Sequence, residues 1–179
     1  EDLRKMVNHM ALSGVSQISA GQRIRETKEK KENRENGGKK AQKLMLTWLT
    51  SYPSMFDTIE GYITPEDFVT PLYHRAAELV FEQHQAGEVN PAKLLNQFSD
   101  PEEQKEVTAL FHATLHLEGE EEAKKAVLET VCRLKKDSIA WKNENLAPTD
   151  LLGLQNIVEA RKRLEDLERG RVSLHISFH

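Results

Sequence analysis

The sequence predicts an all-α protein: a compact multi-helix bundle followed by a long helix and an antiparallel helical hairpin. The first observation is that four prolines each follow a residue type that caps helices, at Thr64-Pro65, Thr70-Pro71, Asn90-Pro91 and Asp100-Pro101. Proline suits the first position of a helix because the backbone N–H that it lacks has no helical partner there. The second observation is that, from residue 40 onward, apolar side chains recur every three or four residues, as they do along one face of a helix.

The apolar pattern defines the helices of the bundle in order. The first stripe, which Pro53 ends, is Leu44, Met45, Trp48, Leu49 and Tyr52. The next face, which Gly87 stops, is Leu72, Ala76, Leu79, Val80 and Gln83. Two shorter helices follow, carrying Leu94, Leu95 and Phe98 and then Val107, Leu110, Phe111 and Leu115.

The long helix and the hairpin have a different pattern. Residues 119–145 begin with three glutamates and carry lysines later, which suits the helix dipole. One seam on this segment is Val127, Val131, Leu134, Ser138 and Trp141, and a second seam after a break near Pro148 is Ile157, Ala160, Leu164 and Leu167. Two seam-bearing helices joined by a short break predict an antiparallel hairpin. The pattern leaves open whether the hairpin packs on the bundle or keeps its seam for a partner.

These patterns divide the chain into three parts. Residues 1–39 are expected to be an upstream tail and a charged linker, 40–117 a helical bundle subdomain, and 118–179 a helical hairpin subdomain with a C-terminal tail. In the tail, RVSLHISFH alternates apolar and polar residues like a strand, but it has no second strand to pair with. We expect a frayed tail there; the alternative is an extended peptide that docks on another protein.

Composition and charge limit the class of protein. The chain has 179 residues with a net charge of −4, and its single Cys132 excludes an internal disulfide. Segment 21–40 holds eight Lys/Arg against four Glu, which leaves a net charge of −8 on the rest. An acidic folded part binds phosphates poorly, so we expect little direct nucleic-acid binding. With no apolar run long enough to cross a bilayer, we expect a cytoplasmic protein without a membrane partner.

The residues provide no catalytic motif. A phosphate-binding glycine loop and a nucleophile elbow are both missing from the sequence, so we expect no catalytic and no cofactor-binding residues. His112 and His116 are spaced to chelate a metal on one helix, but no Cys pair and no zincin glutamate accompany them. We therefore expect surface histidines and no metal site. Because the chain begins at Glu1 and not at Met, we also expect it to be part of a longer protein.

The order of these motifs resembles a known family. The runs KAQKLMLTWLTSYPSMFDTI (40–59) and ITPEDFVTPLYHRAAELVFEQHQAGEVNPAKLLNQF (63–98), followed by the long segment and hairpin at 119–169, are similar to the C-terminal helicase-interacting domain of bacterial DNA primases. That family has a Leu-rich helix ending before a proline, a Pro-Glu-Asp-Phe turn, a helix with Leu-Tyr near its start and a short Leu-Leu helix. A long helix and a terminal hairpin complete the pattern. No single motif is diagnostic; their order carries the resemblance.

The resemblance implies an adaptor that tethers primase to the replicative DNA helicase hexamer in the primosome and modulates the helicase during DNA replication. The fragment itself would be a monomer without enzymatic activity. The parent would be a nucleotidyltransferase, with zinc and magnesium held in upstream domains. From the apolar residues in excess of one seam, we expect the helicase contacts at Trp141, Leu146, Leu151, Leu152, Leu154, Ile157 and Arg161. The alternative for these residues is that they pack on the bundle.

Two other functions stay open. The same pattern resembles the N-terminal collar domain of the replicative helicase, a related fold that would associate with its own kind. The roughly 40 residues of linker-like chain ahead of the pattern favour the primase domain over the helicase collar. A metal- or nucleic-acid-binding helical protein, which would use His112 and His116 or the basic segment 21–40, is the alternative of another class.

Overall fold

The structure is a computed structural model that describes residues 37–113 and 119–176. The described chain is all-helical and contains no strand, which confirms the predicted fold class. Its helices are α1 (37–51), α2 (Met55–Ile59), α3 (Pro71–Gln85), α4 (Pro91–Leu95), α5 (Pro101–His112), α6 (Glu120–Glu144) and α7 (Leu151–Glu168), with a 3₁₀ turn at Pro65–Asp67 between α2 and α3. Gly38–His179 form one compact unit. The boundary between residues 117 and 118 lies outside the described residues, so the division into bundle and hairpin stays a prediction.

All four prolines that follow capping residues begin a helical element, as the sequence predicted. The Asn90 side chain accepts a hydrogen bond from the backbone N–H of Lys93. The Asp100 side chain accepts one from the N–H of Glu102. Thr70 makes no such bond, so the start of α3 depends on proline alone for its local signal. The cap-plus-proline pattern therefore predicted the positions of the helix starts better than it predicted the capping hydrogen bonds.

The core joins the bundle helices to α6. Met45, Trp48 and Leu49 of α1 are buried, and so are Leu94 and Phe98 in and after α4. On α3, Ala76 and Val80 of the predicted face are buried, together with Tyr73 and Ala77, whereas the predicted Leu72 and Leu79 are only partly buried. The Tyr73 hydroxyl donates to Glu106 Oε1 of α5 at 2.5 Å. Tyr73 is therefore buried while its hydroxyl reaches a carboxylate of the exposed Glu106.

The long seam of α6 serves the bundle. Val127, Val131 and Leu134 are fully buried in the same cluster as the bundle core, and only the far end of the seam, at Trp141, is exposed. The helix α7 runs antiparallel to α6, because Lys136 pairs with Glu168 and Asn143 accepts from Arg161, so the residue numbers run in opposite directions. The predicted antiparallel hairpin is confirmed. The open question about its seam is answered in favour of packing on the bundle.

The expectation of a frayed tail is wrong for residues 171–176. Ile176 is buried in the core cluster, and Leu174 packs against that cluster. The Thr58 hydroxyl donates to the backbone carbonyl of His175 at 2.7 Å. The segment belongs to no helix or strand, and it docks on its own bundle. The sequence could not show this, because the apolar groove that receives Ile176 exists only after the bundle has formed. Residues 177–179 lie outside the described residues.

Candidate functional site

The Pro-Glu-Asp-Phe turn is tied to the long helix through the buried carboxylate of Asp67. Its Oδ2 accepts the backbone N–H of Thr64 at 3.0 Å and the ammonium of Lys135 at 2.6 Å. Its Oδ1 accepts the hydroxyl of Ser138 at 2.7 Å and the ammonium of Lys142 at 3.3 Å. A carboxylate has about four lone-pair sites, so this one is saturated. The turn and α6 therefore form one hydrogen-bonded joint.

The charge on Asp67 depends on these partners. Burial alone would raise the pKa of Asp67, but the Lys135 ammonium and the hydrogen bonds from Lys135, Ser138 and Thr64 outweigh burial and lower that pKa below its ordinary value. The next residue, Phe68, is fully buried in the core and anchors the turn from the other side. The turn thus acts as scaffold, and it positions the C-terminal half of α6.

A cleft of about 510 Å³ opens beside this joint, between the C-terminal half of α6 and the N-terminal half of α7. Its apolar lining comes from Ile139, Trp141, Leu146, Ile157 and Ala160. Polar groups at the cleft include Asp67, Lys142, Asn145 and Asn156. A concave site with apolar walls and a few converging polar groups is typical of a ligand or side-chain pocket.

The loop between α6 and α7 closes one end of the cleft through a close approach at Gly153. Asp150 caps α7 by accepting the backbone N–H of Gly153 at 2.7 Å. A Cβ at position 153 would lie 2.5 Å from Leu146 Cδ1 and would also meet the Asp150 carboxylate. Glycine therefore allows Leu146 to pack directly on the first turn of α7. This arrangement places Leu146 at the cleft although it lies in the loop, two residues after the end of α6.

Exposed apolar side chains concentrate near the same end of the hairpin. Among the residues that the structure describes, six large apolar side chains are exposed, and five of them lie between positions 141 and 158. We call these five the hairpin surface; they are between 48% and 72% exposed and comprise Trp141, Leu151, Leu152, Leu154 and Val158. Leu151, Leu154 and Val158 are spaced by three and four residues, so they share one stripe of α7. The buried residues of α7 are Ile157 and Leu167.

The structure separates the residues expected at the partner surface into three groups. Trp141, Leu151, Leu152, Leu154 and Arg161 are exposed. Leu146 is half-buried at the cleft, and Ile157 is buried between the hairpin helices, so it serves internal packing. Sequence reasoning missed Val158, although its position seven residues after Leu151 and four after Leu154 could have placed it on the stripe.

The histidines form no metal-binding cluster among the described residues. Within 37–113 and 119–176, no group of three or more His, Cys, Asp or Glu side chains could hold a metal ion. His112 is exposed at the end of α5, and His116 lies outside the described residues. In that same part of the chain, none of the helices combines the length and the apolar character needed to cross a bilayer.

Comparisons with protein-family models, with curated proteins and with solved structures find no match to this chain. The evidence for function is therefore the geometry of the hairpin surface and the cleft, together with the order of sequence motifs described above.

Proposed function

We propose that this chain is a protein-interaction module, and specifically the helicase-binding domain of a bacterial DNA primase. It would tether primase to the replicative helicase hexamer and modulate the helicase during primer synthesis. The observation that carries the interaction function is the concentration of five exposed apolar side chains near one end of the hairpin. The choice of the helicase as the partner depends on the motif order from residue 40 to residue 169, which resembles the primase domain.

The hairpin surface fits a protein partner on energetic grounds. Leu151, Leu154 and Val158 form a stripe on α7. Each of these side chains is about half exposed or more. Burying a leucine or valine side chain fully is favourable by roughly 1.5–3 kcal/mol, so leaving several exposed is costly without a partner. Clustered exposed apolar residues are typical of interaction sites. Arg161 lies seven residues after Leu154 on the same side of α7 and supplies a polar edge.

The buried joint at Asp67 makes this surface suitable for an adaptor. Lys135 and Ser138 bind the carboxylate of Asp67, so this part of α6 is fixed on the turn. The apolar residues near the loop between α6 and α7 stay exposed. A partner that binds the hairpin surface is thereby held at a defined position relative to the bundle. The charged segment ahead of α1, which its composition predicts to be a linker, would then raise the effective concentration of an upstream primase near the helicase.

The direct experiment mixes the full chain with the replicative helicase hexamer of a bacterium. We expect a complex at micromolar concentration that co-elutes in gel filtration and gives a saturable heat in titration calorimetry. The absence of a complex with hexamers from several bacterial lineages would overturn the helicase as partner.

The helicase collar domain is the second candidate, because the same exposed stripe could cover a second copy of this chain. Sedimentation velocity separates the two. The primase adaptor predicts a monomer across the micromolar range, whereas a collar domain predicts association that increases with concentration. Leu154→Asp would weaken that association if the stripe is the self-contact.

A further inference from the structure

The cleft between α6 and α7 has unused hydrogen-bond donors beside apolar walls. Both oxygens of Asp67 are saturated by four internal donors, as described above. The other acid at the cleft, Asp150, accepts the N–H of Gly153 as the helix cap. The acidic groups that line the cleft are therefore engaged with the protein itself.

Lys142, which lines the cleft, has hydrogen-bond donors that its internal contacts do not use. An ammonium group carries three donors, and in the described chain the ammonium of Lys142 donates to Asp67 across a long 3.3 Å contact while its side chain remains 39% exposed. Glu66 also lies near Lys142: the pKa of Glu66 is lowered first by a hydrogen bond from the Thr64 side chain and to a smaller extent by Lys142. Asp67 is also the ion-pair partner of Lys135, so two ammonium groups share one carboxylate and the charge of Lys142 is only partly offset.

The apolar part of the cleft lies directly beside Lys142. Trp141 is the preceding residue on α6, and Ile157 and Ala160 face the cleft from α7. The volume of about 510 Å³ falls within the range of about 300–1,000 Å³ that is typical of sites for small ligands. An aliphatic or aromatic side chain fits this space. A polar group next to that side chain would then lie near the Lys142 ammonium.

We propose that this cleft binds a segment of the protein partner in which an apolar side chain adjoins a carboxylate. The apolar side chain lies between Trp141 and Ile157, and the carboxylate accepts hydrogen bonds from the Lys142 ammonium. A carboxylate is favoured over a neutral amide because both accept a hydrogen bond from the ammonium, but only the carboxylate adds the attraction of opposite charges. This inference depends on the proposed interaction function and adds the chemistry of the group that is recognised.

The test uses two small probes that differ only in charge, N-acetyl-leucine and N-acetyl-leucinamide. Trp141 is 48% exposed at the cleft whereas Trp48 is fully buried, so a change in tryptophan fluorescence on titration reports on the cleft. We expect saturable binding, with the acid bound about tenfold more tightly than the amide, a difference of about 1.4 kcal/mol. Equal affinities, or no saturable change with the acid, would overturn the proposal.

Variants of Lys142 test the role of its ammonium. Lys142→Gln is expected to remove the preference for the acid, and Lys142→Arg is expected to keep it, because the arginine retains positive donors. Lys162→Gln is the matched control, since Lys162 is an exposed lysine that does not line the cleft. Circular dichroism checks that each variant stays folded. A preference that survives Lys142→Gln would refute the assignment.

This titration needs no helicase, so its failure can be told apart from failure of the proposed function. If the probes fail while the hexamer still binds the chain, only the carboxylate site is wrong. If the hexamer fails while the acid probe binds selectively, the cleft stands and another protein is the partner.

Discussion

The Lys135 ammonium lies 2.6 Å from Asp67 Oδ2, and this ion pair joins the long helix to a turn 68 residues earlier in the chain. Ser138, one turn further along α6, donates to the other oxygen of the same carboxylate. The pair is almost fully buried on the Asp67 side and only partly exposed on the Lys135 side. Together with the buried seam of α6, this joint holds the half of α6 that leads to the exposed apolar surface.

Replacing Asp67 by Asn should destabilise the fold substantially. The amide keeps the shape of the side chain but leaves Lys135 without its counter-ion and turns one acceptor into a donor that faces other donors. Removing one partner of a buried ion pair costs about 3–5 kcal/mol. Because Lys135 and Lys142 can still reach water, we expect about 2 kcal/mol, measured as the free energy of unfolding in urea.

Asp57→Asn is the matched control for this prediction. Asp57 is an exposed acid in the first turn of α2, and surface substitutions of this kind change stability by less than about 0.5 kcal/mol. Equal effects of the two substitutions would show that the Asp67 joint contributes nothing specific.

The same carboxylate should make stability depend on pH in the acid range. The pKa of Asp67 is lowered from its ordinary value of 3.8 in the folded protein, so near that pH the unfolded chain binds more protons than the folded one. The stabilisation is therefore complete above the unfolded value and is lost as pH falls through the lower folded pKa. We expect the free energy of unfolding, measured in urea, to fall between about pH 5 and about pH 3 more steeply for the parent than for Asp67→Asn. Parallel profiles would contradict this.

The docked tail should contribute to stability. Ile176 is 7% exposed in the core cluster, and truncating a buried isoleucine to alanine costs about 2–5 kcal/mol. For Ile176→Ala near the chain terminus we expect about 2 kcal/mol, read from the midpoint of thermal unfolding. Val172→Ala is the control, because Val172 is exposed in the same segment. A negligible loss with Ile176→Ala would mean that the tail is not held in solution.

Adding a methyl group at Gly153 should lower stability although it raises helix propensity. In an open helix, Gly→Ala stabilises by about 1 kcal/mol. Here the new Cβ would lie 2.5 Å from Leu146 Cδ1, so Leu146 must leave its place on α7. We expect a lower melting temperature for Gly153→Ala and partial recovery when Leu146→Ala is added, since that change removes part of the clash. An increase in melting temperature for the single variant would show that the loop accommodates the methyl group freely.

Local signals predicted the elements of the fold well. Each cap-plus-proline pair marked the start of a helical element, because proline and the capping residue act within one turn. The buried face of α3 includes Tyr73 and Ala77 beside the predicted Ala76 and Val80, and the Tyr73 hydroxyl finds its partner at Glu106 of α5. That partner is 33 residues away and has no local signature.

Long-range relationships were beyond the sequence. The sequence marks a helix start at Thr64-Pro65, but it does not show that Lys135, Ser138 and Lys142 would bind the carboxylate of Asp67 from α6. The apolar excess near the hairpin break identified Leu151, Leu152 and Leu154 correctly as residues that one seam does not need. The same apolar excess could not distinguish these exposed leucines from the buried Ile157. The reason is that contact with α6, and not hydropathy, decides which side of α7 is buried.

The central claim is that the exposed stripe of α7 binds the replicative helicase hexamer. Leu151→Asp combined with Leu154→Asp places two charges on that stripe without touching the core, since both leucines are exposed. Val172→Asp is the matched control, because it adds a charge at an exposed apolar residue beyond the opposite end of α7. The measurement is titration calorimetry of each variant against the hexamer, with helicity confirmed by circular dichroism. We predict that the double variant keeps its helicity and binds at least about a hundredfold more weakly, while Val172→Asp binds like the parent; unchanged affinity of the folded double variant would contradict the claim.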